Sequence, residues 1–119
     1  MTEKDKDLLQ ELHNASAVGR LAWQETAKKG EFTTSIEGRF IATVTRRLIE
    51  PKPGWQELNL DEITPEECVL FELRDLQDRL LLQIDSSQSP QVESLYDLAR
   101  RSALHVDVAV EDALRLLRG

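Results

Sequence analysis

The side chains in this chain with the means to ligate a metal, attack a carbonyl or carry a proton are few and scattered. His13 and His105 lie far apart, and neither has a second histidine or cysteine at a metal-like step such as HxxxH. Asp107 follows His105 by two residues and could orient an imidazole. A histidine in a short connection between two helices, however, usually serves as a surface or capping residue, and that reading is preferred. A nucleophilic cysteine needs a base and an electropositive setting. Cys68 instead follows Glu66 and Glu67, which disfavour a thiolate, so it reads as a half-buried structural residue. Between Trp55 and Leu73 every charged residue is acidic: Glu57, Asp61, Glu62, Glu66, Glu67 and Glu72. That run lacks the DxDxDG order and glycine turn of a hard-cation loop, and a solvated acidic surface is the simpler account. GxGxxG, GxxxxGK[ST] and GxSxG are absent from the sequence. The sequence therefore assigns no catalytic, cofactor-binding or metal-ligating residue, and an enzyme is the less favoured class.

Charge asymmetry is the feature that points outward. Arg39, Arg46, Arg47 and Lys52 make the middle of the chain basic, with Glu50 the sole acid among them, and an acidic stretch follows. A surface polarised in this way steers a protein partner or a second copy of the chain. Internal pairing of the two stretches across a sheet would use up the same asymmetry. Arg39, Arg46 and Arg47, with Trp55 and Tyr96 as large amphipathic anchors, form the interaction surface expected from sequence. Arg46 and Arg47 alone are too small a patch for a nucleic-acid site.

These residues must be held by regular elements. From Thr2, Leu8, Leu9, Leu12, Ala15 and Val18 recur at three- and four-residue steps, predicting an amphipathic helix that stops at Gly19. Leu21 and Trp23 alternate with Ala22 and Gln24 in a short strand, with Trp23 toward the core. After a turn at Lys28-Lys29-Gly30, Phe32, Thr34 and Ile36 share one strand face. Glu37-Gly38 then turns the chain into residues 39–46, with Phe40, Ala42 and Val44 on one side. Pro51, Pro53 and Gly54 break regular structure, and Trp55, Leu58 and Leu60 mark a partly extended excursion. Val69, Phe71 and Leu73 alternate against Leu80, Leu82 and Ile84 across residues 75–78, a second hairpin.

The organising element is a helix in which Ser89 is the expected N-cap and Pro90 the first helical residue. Val92, Leu95, Ala99 and Ala103 form its apolar stripe. Asp107 is expected to cap a last helix in which Val110, Leu114 and Leu117 repeat beside Ala113. The expectation is an α+β fold: an N-terminal helix, an antiparallel sheet of about four to five strands, and two C-terminal helices packed on the sheet.

Bulk properties bound the partners. A chain of 119 residues is expected to form a single domain over 1–119 that needs no metal or disulfide to fold. A net charge of −7 disfavours nucleic acid and anionic lipid, because phosphate binding is driven by Lys and Arg displacing counterions. One cysteine excludes an intrachain disulfide and suits a reducing compartment. The acidic and basic residues at the start do not follow signal-peptide order, and no apolar run is long enough to span a bilayer, so a cytoplasmic location is expected.

Trp23-Gln24-Glu25-Thr26, Phe32-Thr33 and the run from Leu95 to Arg101 give the chain an order that resembles small bacterial α+β proteins of uncharacterised function. In these a leading helix, a W-x-x-T strand, an antiparallel meander and an L-Y-x-x-A-R helix follow one another. The resemblance implies the architecture, with Trp23 and Leu95 in the core and Tyr96 an edge packer with a wet hydroxyl. It implies no catalytic residue or cofactor. The function expected is a noncatalytic interaction or regulatory module, acting on a protein partner or as a homodimer. A small enzyme or ligand-binding domain would need Trp55, Tyr96 and His105 to converge in one cleft between sheet and helices. An acidic secretion-type chaperone shares the size and charge, but its central helix between strand groups is not evident. A DNA mimic is disfavoured by the interspersed arginines.

Overall fold

The computed structural model describes residues 1–49 and 66–119. Its elements are α1 (Glu3–Ala17), β1 (Gln24–Glu25), β2 (Glu31–Ile36), β3 (Phe40–Ile49), β4 (Glu66–Asp75), β5 (Leu80–Asp85), α2 (Gln91–Ala103) and α3 (Val106–Leu117). The expected α+β arrangement is present: a leading helix, a five-stranded antiparallel sheet in the order β1-β2-β3-β4-β5, and two C-terminal helices, of which α2 lies on the sheet and α3 packs against α2. The partly extended excursion expected around Trp55, Leu58 and Leu60 lies outside the described residues.

α1 starts where Thr2 can satisfy its first orphan amides. The Thr2 hydroxyl accepts from the Asp5 amide at 3.2 Å, and the Asp5 carboxylate accepts from the Thr2 amide at 3.0 Å. This is a reciprocal capping box with aspartate in place of the usual glutamate. Leu9 and Leu12 face the core, and the chain leaves the helix through Gly19 at φ +78°.

The expected strand at residues 21–24 is reduced to two residues, because the backbone before it is held by side chains instead of a ladder. Thr34 Oγ1 donates to the Ala22 carbonyl at 2.9 Å, and the Trp23 amide donates to Ser102 Oγ at 3.5 Å. β2 and β3 form the expected hairpin, with Phe32 opposite Val44 and Thr34 opposite Ala42. Glu37 (φ 51°) and Gly38 (φ 67°) both take the left-handed conformation, which matches the right-handed twist of the flanking strands. β3 runs on to Ile49, three residues past the expected end. β4 and β5 pair with Phe71 opposite Ile84 and Leu73 opposite Leu82, and a bulge follows at Leu73/Arg74.

α2 lies across the inner face of the sheet and contacts β1, β2, β3 and β4, while α1 packs along α2. Val92, Leu95, Tyr96 and Ala99 are buried, and with Leu9, Trp23, Phe32, Val44, Phe71 and Ile84 they make the core. Removing a side chain of this size from water contributes roughly 1.5–3 kcal/mol each. Ser89 caps as expected in chemistry, accepting from the Gln91 amide at 3.3 Å, although Pro90 takes the half-in position and the helix proper begins at Gln91. Helix ends are defined only to within a residue or two.

The joint between the last two helices differs from the expectation. α2 closes with His105 in the left-handed conformation (φ 51°), its amide donating to the Ser102 carbonyl at 3.3 Å. α3 therefore starts at Val106, and Asp107 does not cap it. The Asp107 carboxylate instead accepts from the Arg101 guanidinium at 3.1 Å, tying the first turn of α3 to the end of α2.

Candidate functional site

Of the described residues expected to form one interaction surface, Arg46 and Tyr96 meet, while Arg39 and Arg47 stand apart. Arg39 and Arg47 flank opposite ends of β3, eight strand steps or roughly 26 Å apart. Arg39 borders a shallow hollow with Phe40, Asp75, Leu76, Arg79 and Leu81. Arg46 and Arg47 are consecutive and so project to opposite faces of the sheet. The Arg46 guanidinium sits 5.0 Å from the centroid of the Tyr96 ring, on the helix side. Such a cation–π contact contributes about 0.5–1 kcal/mol at an exposed site. Tyr96 is not an edge residue: it is 5% exposed and meets Phe32 edge-on at 5.5 Å, so its ring serves the core and Arg46 is what the surface presents there. Trp55 lies outside the described residues.

β3 and β4 pair over their full length, with Arg46 opposite Val69, Arg47 opposite Cys68 and Leu48 opposite Glu67. The basic stretch thus runs directly beside the start of the acidic one.

The cleft reading required Tyr96 and His105 to meet. They stand nine residues apart across α2 and the joint, half a helical turn out of phase, with Tyr96 buried and His105 exposed. Cys68 is half-buried, and the Ser86 hydroxyl donates to its sulfur at 3.8 Å. His13 is half-buried on α1. Among the described residues no group of three or more His, Cys, Asp or Glu could hold a metal ion. No helix among them is long and apolar enough to cross a membrane.

What the fold leaves unpartnered is α3. Val110, Ala113, Leu114 and Leu117, the stripe read from the sequence, fall with Val106 within about 100° of one face at 3.6 residues per turn. That stripe was expected to face the sheet. Instead α3 buries none of its residues, and Leu116 and Leu117 are 80% and 84% exposed. The physical reason is that α2 alone already covers four of the five strands, and α1 fills the space beside it. Val108 and Leu116 lie outside the stripe and are exposed too, and Leu104 at the joint extends the apolar surface toward α2. A helix apolar on this much of its circumference exceeds what one-sided packing on a sheet uses; this excess is the sequence signal that α3 has a different destination.

The joint holds this surface away from the core in a defined direction. The His105 turn and the Arg101–Asp107 ion pair set the angle at which α3 leaves α2. Both ion-pair partners are largely exposed, so the pair contributes at most about 1 kcal/mol.

Comparison with protein-family models, with curated proteins and with solved structures finds no match to this chain, so its functional reading rests on the geometry alone.

Proposed function

We propose that this chain is a noncatalytic protein-interaction module that offers α3 as a docking helix. The observation that carries the reading is a 12-residue helix with a continuous apolar stripe and no buried residue. Leaving valines and leucines in water forgoes about 25 cal/mol for each Å² of apolar surface, a loss that association recovers. An amphipathic helix meeting an apolar groove or another helix uses this spacing, with anchors at i, i+4, i+7 and i+11. The reading places the chain in the cytoplasm, where its single cysteine stays reduced. Arg39, Arg46 and Arg47 then act as peripheral charges that steer encounter, while α3 holds the partner.

The test is recovery of the tagged chain from its native host, with and without the double substitution Leu114→Glu and Leu117→Glu. Both positions are exposed, so the variant folds with an unchanged circular-dichroism spectrum. The wild-type chain is expected to bring down a stoichiometric protein partner that the variant loses. Retention of the same partner by the variant, or recovery of the chain alone in both cases, overturns the reading.

A further inference from the structure

We infer that the joint at His105 is a two-state hinge, at which α2 and α3 can fuse into one continuous helix, and that the Arg101–Asp107 ion pair is the latch of the bent form. This goes beyond the docking-helix reading, since it holds whatever covers α3. The two apolar stripes are already in phase. Val92 to Val110, Leu95 to Ala113, Tyr96 to Leu114 and Ala99 to Leu117 are each steps of eighteen residues, about five whole turns at 3.6 residues per turn. Ala103 and Val106 carry the same face across the joint. Two helices that never join have no need of a common phase, whereas one amphipathic helix from Gln91 to Leu117 requires it.

Nothing in the local sequence demands the break. Sharp kinks come from proline, glycine or an inserted group, and the joint from Ser102 to Asp107 contains neither proline nor glycine. His105 nevertheless takes φ 51° and ψ 46°, a conformation that is costly for a residue with a Cβ. No side chain caps the start of α3. Straightening returns His105 to ordinary helical angles and offers the amides of Val106, Asp107 and Val108 the carbonyls of Ser102, Ala103 and Leu104. What opposes it is the Arg101–Asp107 contact at 3.1 Å. In a continuous helix these two residues stand six apart, off the three- and four-residue spacing at which helical side chains meet, so the pair belongs to the bent form only. Both partners are exposed, so the latch is weak and comparable to the strain it opposes, which is the balance a bistable element needs. Ser102 meets Trp23 beside the edge strand β1, so the straight form carries the α3 stripe past that edge, in line with the buried stripe of α2.

Paired spin labels distinguish the two forms. Labels at Glu93→Cys and Glu111→Cys, in a chain with Cys68→Ser, occupy exposed positions of α2 and α3. The straight form sets their backbones about 27 Å apart at 1.5 Å per residue, and the bent form brings them closer. The shorter distance is expected to dominate at low salt. The longer one is expected to grow several-fold in molar salt, which screens the latch, and in Arg101→Gln, which removes its charge. His105→Ala favours the helix and His105→Gly the left-handed turn, so the ratio of long to short is expected to differ roughly tenfold or more between them. Arg101 and His105 are exposed, and these variants leave the core untouched. A single short distance that salt, Arg101→Gln and His105→Ala all leave unchanged overturns the inference, as do equal ratios in the alanine and glycine variants. A ratio that follows His105 but ignores both salt and Arg101→Gln overturns the latch.

Discussion

Ser16 ties the end of α1 to the segment before β1 with a single oxygen. Its hydroxyl donates to the Leu12 carbonyl at 2.7 Å within α1 and accepts from the Trp23 indole at 2.9 Å, both inside the core. Ser16→Ala removes the acceptor and leaves a buried indole N–H unpaired, which is expected to lower stability by about 1–3 kcal/mol. Urea unfolding followed by tryptophan fluorescence, with an unchanged slope, reads the loss directly; a shift below a few tenths would mean that Trp23 finds another acceptor. This bond was not legible in the sequence, because nothing in the spacing of Ser16 and Trp23 tells that a helix end and an irregular segment will meet. Tyr96 is the opposite case. It falls in the same stripe as Val92, Leu95 and Ala99, so periodicity alone places it in the core, and only the weight given to its hydroxyl moved it to the surface.

Among the elements, the β4–β5 hairpin shows how a turn can respond to pH. The Asp75 carboxylate accepts from the Arg79 amide, from the Arg79 guanidinium at 2.6 Å and from the Gln77 amide. These bonds, the Arg79 amide first, hold its pKa below the ordinary 3.8 against the opposing effect of burial. Asp85, at the other end of β5, is lowered in the same direction, chiefly by the Ser87 hydroxyl. A carboxylate with a depressed folded pKa contributes stability that is complete above its unfolded value and is lost as pH falls through the folded value. The wild-type chain is therefore expected to lose stability on acidification below about pH 3.8, over a window that Asp75→Asn narrows. Denaturation midpoints for both chains from neutral to strongly acid pH check this, and parallel curves would refute it. The hairpins and α2 were readable because alternation and helical spacing are strong signals there. The joint at His105 was not, since a left-handed histidine carries no periodic signal and Asp107 looked like a cap.

The whole molecule divides into a stack that is buried and a helix that is not. α3 lies outside the core, with no buried residue and its main contacts to α2 among the helices and strands. Deleting residues 106–119 is therefore expected to cost under about 1 kcal/mol when measured at concentrations where the chain is monomeric, because only the Arg101–Asp107 pair and joint contacts are lost. Calorimetry of the shortened chain would show a cooperative transition close to that of the full one; its collapse to an unfolded chain would mean that α3 is part of the core. The α3 stripe was visible in the sequence, but its direction was not, because spacing defines a face without saying what covers it. Only the finding that α2 already spans four strands makes that face surplus.

The strand order has a consequence for how the chain is made. Each strand bonds to the next one synthesised, so the sheet can zip along the chain, with short connections to close everywhere except between Ile49 and Glu66, which favours rapid assembly. The leading helix is in a different position. Its main packing partner is α2, so Leu9 and Leu12 emerge early and wait, greasy side unprotected, until the ribosome has produced most of the polypeptide.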